Sequence, residues 1–347
     1  MGRFSPFRGL GVQGERPLSP FRIRPWAWAL GLLLLAFPAL AQAQVAATTT
    51  VLAELVREVG GGRVRVEGVI PLGADPHAFD LRPSTALQLA RARLLFANGL
   101  GLEPYLPKLR ALLPQGARVV ELAPRMPDPI CGLLGLRERG VHLHGDCDPH
   151  MWLDPRYGVR YAETIAEELE RLDPGGREVF RRNLEAFRQR ALEEDRRLEA
   201  CLAGRRPRVV VQHLSLLYLA RRYGLEVVGA LKDHHGADLG VRGRVALLRE
   251  AELGGVDLVV AEPQLDPAPM RRLAEELGAR LVVLYTDALD RRVPTYLDLL
   301  RWNRERLCEA LANPVSVHEG CSIGKGGCGL PMVLLGLPPW LGPRQGT

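Results

Sequence analysis

Two hydrophobic periods alternate along most of the chain. Val45–Thr49 reads as a short strand, and Leu52, Leu55, Val56 and Val59 follow at helical spacing up to Gly60, Gly61 and Gly62. Val64–Ile70 alternates and predicts a strand, followed by a breaker-rich loop through Pro71, Gly73, Pro76 and His77. Ser84 is the expected cap of a helix through Ala92, with strands at Leu94–Ala97 and Val119–Leu122 beyond it. A helix over Tyr157–Leu172 stops at Asp173, Pro174, Gly175 and Gly176. From Pro207 the alternation restarts. Strands are predicted at Arg208–Gln212, Glu226–Leu231, Val256–Ala261 and Arg280–Thr286, interleaved with helices at Leu216–Tyr223, Val241–Leu253, Met270–Leu277 and Thr295–Leu311. Strand–helix alternation of this kind means a parallel sheet covered by helices.

Between the two blocks runs one long helical pattern, Arg177 to Leu202. Phe180, Leu184, Phe187, Ala191, Leu198 and Leu202 share a stripe and the other faces are charged, so a solvent-exposed spine joining two lobes is expected. At 1.5 Å per residue it would be a rod of roughly 39 Å. The predicted fold is therefore α/β: two lobes, each a parallel sheet flanked by helices, joined by a long rigid connecting helix. The divisions are 44–172 for the first lobe, 173–204 for the connector, 205–312 for the second lobe and 313–347 for a Gly/Pro-rich tail.

Residues 1–43 stand apart. Arg16, Arg22 and Arg24 precede an apolar run from Trp26 to Leu40, followed by small residues at Ala39, Ala41 and Ala43. This is the pattern of a secretory signal peptide cleaved after Ala41 or Ala43. The run is too short for a membrane anchor, and no Cys follows it to carry a lipid. The leader supplies +4 of the net charge of +6, so the basic balance gives no case for nucleic-acid binding. Hydrophobic content of 47% and charged content of 25% are ordinary for a globular protein in an extracytoplasmic space. Export permits disulfides among Cys131, Cys147, Cys201, Cys308, Cys321 and Cys328. The local pairs are Cys131 with Cys147 and Cys321 with Cys328; sequence does not choose among the full pairings.

The densest chemistry lies at Asp148, Pro149, His150, Met151, Trp152, Leu153, Asp154 and Pro155, just after His142, His144, Asp146 and Cys147. Cys147 is an alternative metal ligand there. In the second lobe His213, Glu262 and Asp287 all fall at the carboxyl ends of predicted strands, where open α/β sheets bind ligands. Zinc takes imidazole nitrogen and some carboxylate in a four-coordinate shell. His77 and His150 from the first lobe with His213 and Asp287 from the second would close one. Glu262 is a candidate to orient a histidine, and Trp152 to pack beneath the ligand loop.

Those positions also carry a resemblance. Gly73 to His77, Asp148 to Pro155, Val211 to His213 with Tyr218 and Tyr223 to Glu226, and Tyr285 to Leu289 followed by Pro294 to Asp298 resemble the zinc- and manganese-binding solute-binding proteins of ABC importers, the periplasmic receptors of the cluster A-I type. The likeness runs from about residue 45 to residue 311 in order, long helix included. It implies one metal in a cleft between two lobes, held by His77, His150, His213 and Asp287, and docking of a monomer onto a membrane permease with its ATPase. Manganese-type members tend to have Glu where this chain has His213. Three nitrogens and one oxygen suit zinc better than manganese or iron, so Zn2+ is the expected cargo and Mn2+ the alternative. The chain departs from the family pattern in its short His-poor loop before His150, in Lys232, Asp233, His234 and His235, and in its tail.

Two rival classes remain at this level: a secreted zinc hydrolase and an adhesin using the same fold. Four protein ligands leave no open position for an activated water, and no Glu accompanies a His-x-x-x-His helix, so no enzyme is expected.

Overall fold

The computed structural model describes Gly2 and residues 42–131, 147–232 and 240–312. The proposed leader, the tail with Cys321 and Cys328, and His142, His144, Asp146, His234 and His235 lie outside the described residues.

Two four-stranded sheets are built to one plan. In the first, β1 (Ala43–Ala47), β2 (Val64–Gly68), β3 (Leu94–Ala97) and β4 (Arg118–Glu121) lie in the order β2-β1-β3-β4, all parallel. In the second, β5 (Arg208–His213), β6 (Glu226–Lys232), β7 (Leu258–Ala261) and β8 (Arg280–Val283) lie in the order β6-β5-β7-β8, again all parallel. The helices are α1 (Thr50–Gly60), α2 (Pro83–Leu89), α3 (Leu106–Leu112), α4 (Pro155–Leu172), α5 (Arg177–Leu202), α6 (Leu217–Tyr223), α7 (Val241–Gly254), α8 (Ala268–Leu277) and α9 (Tyr296–Ala312).

Side chains on neighbouring strand positions go to opposite faces, and both faces of each sheet are buried. In the first sheet Val45, Ala47, Leu94, Phe96 and Val120 face one core, while Ala46, Leu95 and Ala97 face another with Leu89 and Leu109. In the second sheet Val209, Val211, Leu258 and Val260 join the same first core, while Val210, Val259 and Ala261 pack with Leu247, Met270 and Leu273. One continuous hydrophobic core therefore serves both lobes, filled between the sheets by α1, α4, α5 and α9.

The long helix α5 spans 26 residues, as its pattern predicted, with Arg177, Arg181, Arg190 and Arg196 on its exposed side and a broader face than the apolar stripe turned inward. It packs on α1, α4 and α9 and buries Phe180, Phe187, Ala191, Glu194, Asp195, Leu198 and Leu202. Asp195 receives both arms of Arg222 at 3.0 Å and the Tyr223 hydroxyl at 2.7 Å; Glu194 receives Arg304 at 2.7 Å. Paired ions satisfy carboxylates that would otherwise forbid burial on that face. A Cys201–Cys308 disulfide fastens its end to α9, a pairing local spacing did not suggest. Two smaller corrections concern element ends. α2 starts at Pro83 after Arg82 without a side-chain cap, so Ser84 is not its cap. β8 ends at Val283, so Asp287 lies in the loop beyond it.

Candidate metal centre

Two of the four predicted ligands, His77 and His150, are positioned by a local turn, and His213 by a strand end and a distant carboxylate. The chain contains the tripeptide Asp-Pro-His twice, at Asp75–His77 and Asp148–His150. In both, the aspartate Oδ1 accepts the histidine amide two residues on, at 2.8 Å and 2.9 Å. Asp148 does more: its Oδ1 also meets His150 Nδ1 at 2.7 Å. That carboxylate fixes Nδ1 as the protonated nitrogen and leaves Nε2 facing the centre. His213 is the last residue of β5, and its Nδ1 lies 2.6 Å from Glu262 Oε1. Glu262 is itself held by the Thr286 hydroxyl and by Gln264 Nε2 at 2.8 Å. Trp152 is buried beneath His150, its ring 5.4 Å away edge-on, and Nε1 donates to Thr286 O at 2.8 Å.

The four side chains converge. One donor atom from each of His77, His150, His213 and Asp287 lies within 4.8 Å of all the others. His150 Nε2 is 3.3 Å from His77 Nε2 and 3.4 Å from His213 Nε2. Asp287 oxygens lie 3.0 Å from His213 Nε2, 3.4 Å from His150 Nε2 and 3.8 Å from His77 Nε2. A tetrahedron with metal–nitrogen bonds of ~2.0–2.1 Å has edges of about 3.3–3.4 Å. Both Asp287 oxygens are buried without a well-formed hydrogen bond, and the ion-pair contacts they make are to imidazole nitrogens.

The electrostatics fit a cation-seeking cluster. Burial disfavours charge on His213, but Glu262 and Asp287 outweigh it and hold its pKa well above the usual imidazole value. Burial would raise Asp287, yet His213, His150 and His77 hold it below the usual carboxylate range. Asp75 is pushed up by burial and then by the charge of Asp287. In the absence of a metal this environment favours the protonated form of His213.

All four predicted ligands are brought together; Cys147 is not among them. It is bonded to Cys131, which realises the local pairing and removes its thiolate. The role of Glu262 beside a histidine was anticipated. The contact of Asp148 with His150 was not, although the repeated Asp-Pro-His signalled it. Tyr218 adds a tie that sequence spacing does not signal: its hydroxyl, from the second lobe, accepts Ile130 N–H at 2.9 Å and donates to Asp148 O at 3.0 Å.

Two parallel sheets meeting over a shared histidine–carboxylate cluster define a metal-receptor architecture. Residues 45–310 match the family described as "Zinc-uptake complex component A periplasmic", and the chain belongs to that family of metal ABC transporter substrate-binding proteins. It is 23% identical over 279 residues to the metal ABC transporter substrate-binding lipoprotein FimA of Streptococcus parasanguinis, covering 78% of this chain and 89% of that one. It is 25% identical to the manganese-binding lipoprotein MntA of Halalkalibacterium halodurans, covering 78% and 88%. Among solved structures, one described as ZnuA superposes with a TM-score of 0.65 at 25% identity, covering 79% and 99%. The manganese-bound periplasmic metal-binding protein of Candidatus Liberibacter asiaticus superposes at 0.67 with 22% identity, covering 78% and 100%.

Proposed function

We propose that this chain is an extracytoplasmic receptor that binds one zinc ion through His77, His150, His213 and Asp287 and hands it to an ABC import permease with its ATPase. The convergence of three imidazole nitrogens and one carboxylate within 4.8 Å carries the assignment. The donor set favours zinc over harder, oxygen-preferring ions. Manganese is the second candidate cargo, because relatives at 22–25% identity are named for manganese and one for iron. Each lobe supplies two ligands, so binding joins the lobes, and metal entry expels the protons the cluster otherwise holds. Four protein donors leave no position for a metal-bound water, which argues for carriage over catalysis.

No helix among the described residues is long and apolar enough to cross a membrane. The relatives are named lipoproteins, but the first cysteine here is Cys131, itself in a disulfide. We propose that the leader is removed by cleavage. Cleavage after Ala41 leaves β1 whole, since Ala43 pairs with Val64. Metal analysis of the purified chain, followed by competition between zinc and manganese, tests the cargo. One zinc per chain that manganese fails to displace supports the proposal. Preferential manganese retention selects the second candidate, and a metal-stripped chain that binds neither overturns the receptor assignment.

A further inference from the structure

One buried carboxyl outside the metal centre spans the lobes. Glu54 lies on α1 in the first lobe and is 8% exposed. Its Oε2 accepts the backbone N–H of Tyr296, the first residue of α9 in the second lobe, at 2.9 Å. One helical turn earlier on α1, Thr50 Oγ1 accepts the N–H of Leu289 at 2.9 Å. These two bonds grip both ends of the 289–296 segment, which begins two residues after Asp287. Tyr296 carries the contact onward, its hydroxyl donating to Trp152 O at 2.5 Å.

We propose that Glu54 is a proton-sensitive latch between the lobes, holding α1 against the start of α9 when protonated and loosening that seam when ionised. The latch belongs to the lobe seam and stands whatever the four-residue centre binds. Helix N-termini ordinarily welcome negative charge, but this one already has it: Thr295 Oγ1 accepts the Asp298 N–H at 3.1 Å and donates to the Asp298 carboxylate at 2.6 Å in the first turn. Burial raises the Glu54 pKa to about 7; the Tyr296 amide opposes, Glu58 adds to the rise, Arg57 opposes, and Asp298 adds to it again. From α5, Arg190 binds Glu58. Opening the seam returns Glu54 to water and toward its ordinary value of 4.5. The closed seam therefore takes up a proton; its advantage is full below that ordinary value and is lost as pH rises through about 7.

The test compares the metal-stripped full chain with Glu54→Gln, which keeps a carbonyl for the Tyr296 amide and cannot ionise. Thermal midpoints should coincide near pH ~4, and the variant should be several degrees more stable near pH ~8.5. The metal centre is common to both proteins and cancels in the difference. Thr50→Val should lower the midpoint equally at every pH. Curves for Glu54→Gln that run parallel to the unsubstituted chain overturn the latch. Hydrogen exchange at the Tyr296 and Leu289 amides of the unsubstituted chain decides it independently of any variant. Protection, corrected for intrinsic exchange, should drop about tenfold or more over the same pH span, and constant protection overturns the proposal.

Discussion

The two lobes share one strand order and hold their ligands differently. In the second lobe strand ends set one ligand: His213 ends β5, and Glu262, which meets its imidazole, directly follows β7, while Asp287 lies in the loop after β8. In the first lobe the ligands stand off the sheet. His77 lies nine residues past β2, and His150 follows β4 only after the disulfide-closed excursion between Cys131 and Cys147. There the Asp-Pro-His turns do the positioning that strand ends do in the partner lobe. The same topology thus offers one half-site anchored in part at a strand end and one built wholly from loops.

Removing a ligand is the bluntest way to test this division. Asp287→Ala should cut zinc affinity by more than about a hundredfold, exceeding the 10–100-fold typical of orienting groups, while circular dichroism stays native. An unchanged dissociation constant would remove Asp287 from the shell. Next come the orienting carboxylates. Glu262→Gln and Asp148→Asn should each weaken binding about 10–100-fold. Asp75→Asn should cost less, because Asp75 meets the His77 amide and not, like Asp148, the imidazole as well; equal losses would break the comparison. Proton competition follows from His213, which is protonated below its raised pKa in the metal-free site. Affinity should therefore rise with pH through neutrality, by about tenfold per unit for each proton expelled, measured by chelator competition. The smallest expected effect is at Gly73, where φ is +76° and a methyl would meet nothing within 4 Å. Gly73→Ala should add about 1–2 kcal/mol of backbone strain and weaken binding several-fold through the His77 loop. That loop is tied across the cleft by Gly73 N–H to Leu289 O at 2.8 Å.

Much of this was legible in the sequence because it rests on local periodicity. The strand leading to His213 and the 26-residue helix α5 could be read from spacing alone. What stayed hidden depends on partners far along the chain. Leu284 and Tyr285 look like strand residues because they are buried, but β8 has already ended and the loop packs into the core. The polar faces of α5 suggested solvent, since neither Arg222 nor Arg304 announces that it will pair with Asp195 or Glu194. Helix α3 went unseen: with Pro107 and Lys108 in a seven-residue span it has too few turns to show a period. The Cys201–Cys308 bridge closes 107 residues, a distance at which spacing carries no information.

The continuous core has a consequence for how such a carrier is policed outside the cell. With both lobes drawing on one set of buried side chains, loss of packing in either half exposes surface that the other half shares. An ion held by the folded form alone then protects the entire chain, by about 4 kcal/mol when it is present at a thousand times its dissociation constant. An empty carrier gives up that protection everywhere at once, including in segments remote from the cleft. Secreted proteases, which cut transiently opened chains, would therefore clear unloaded molecules faster than loaded ones.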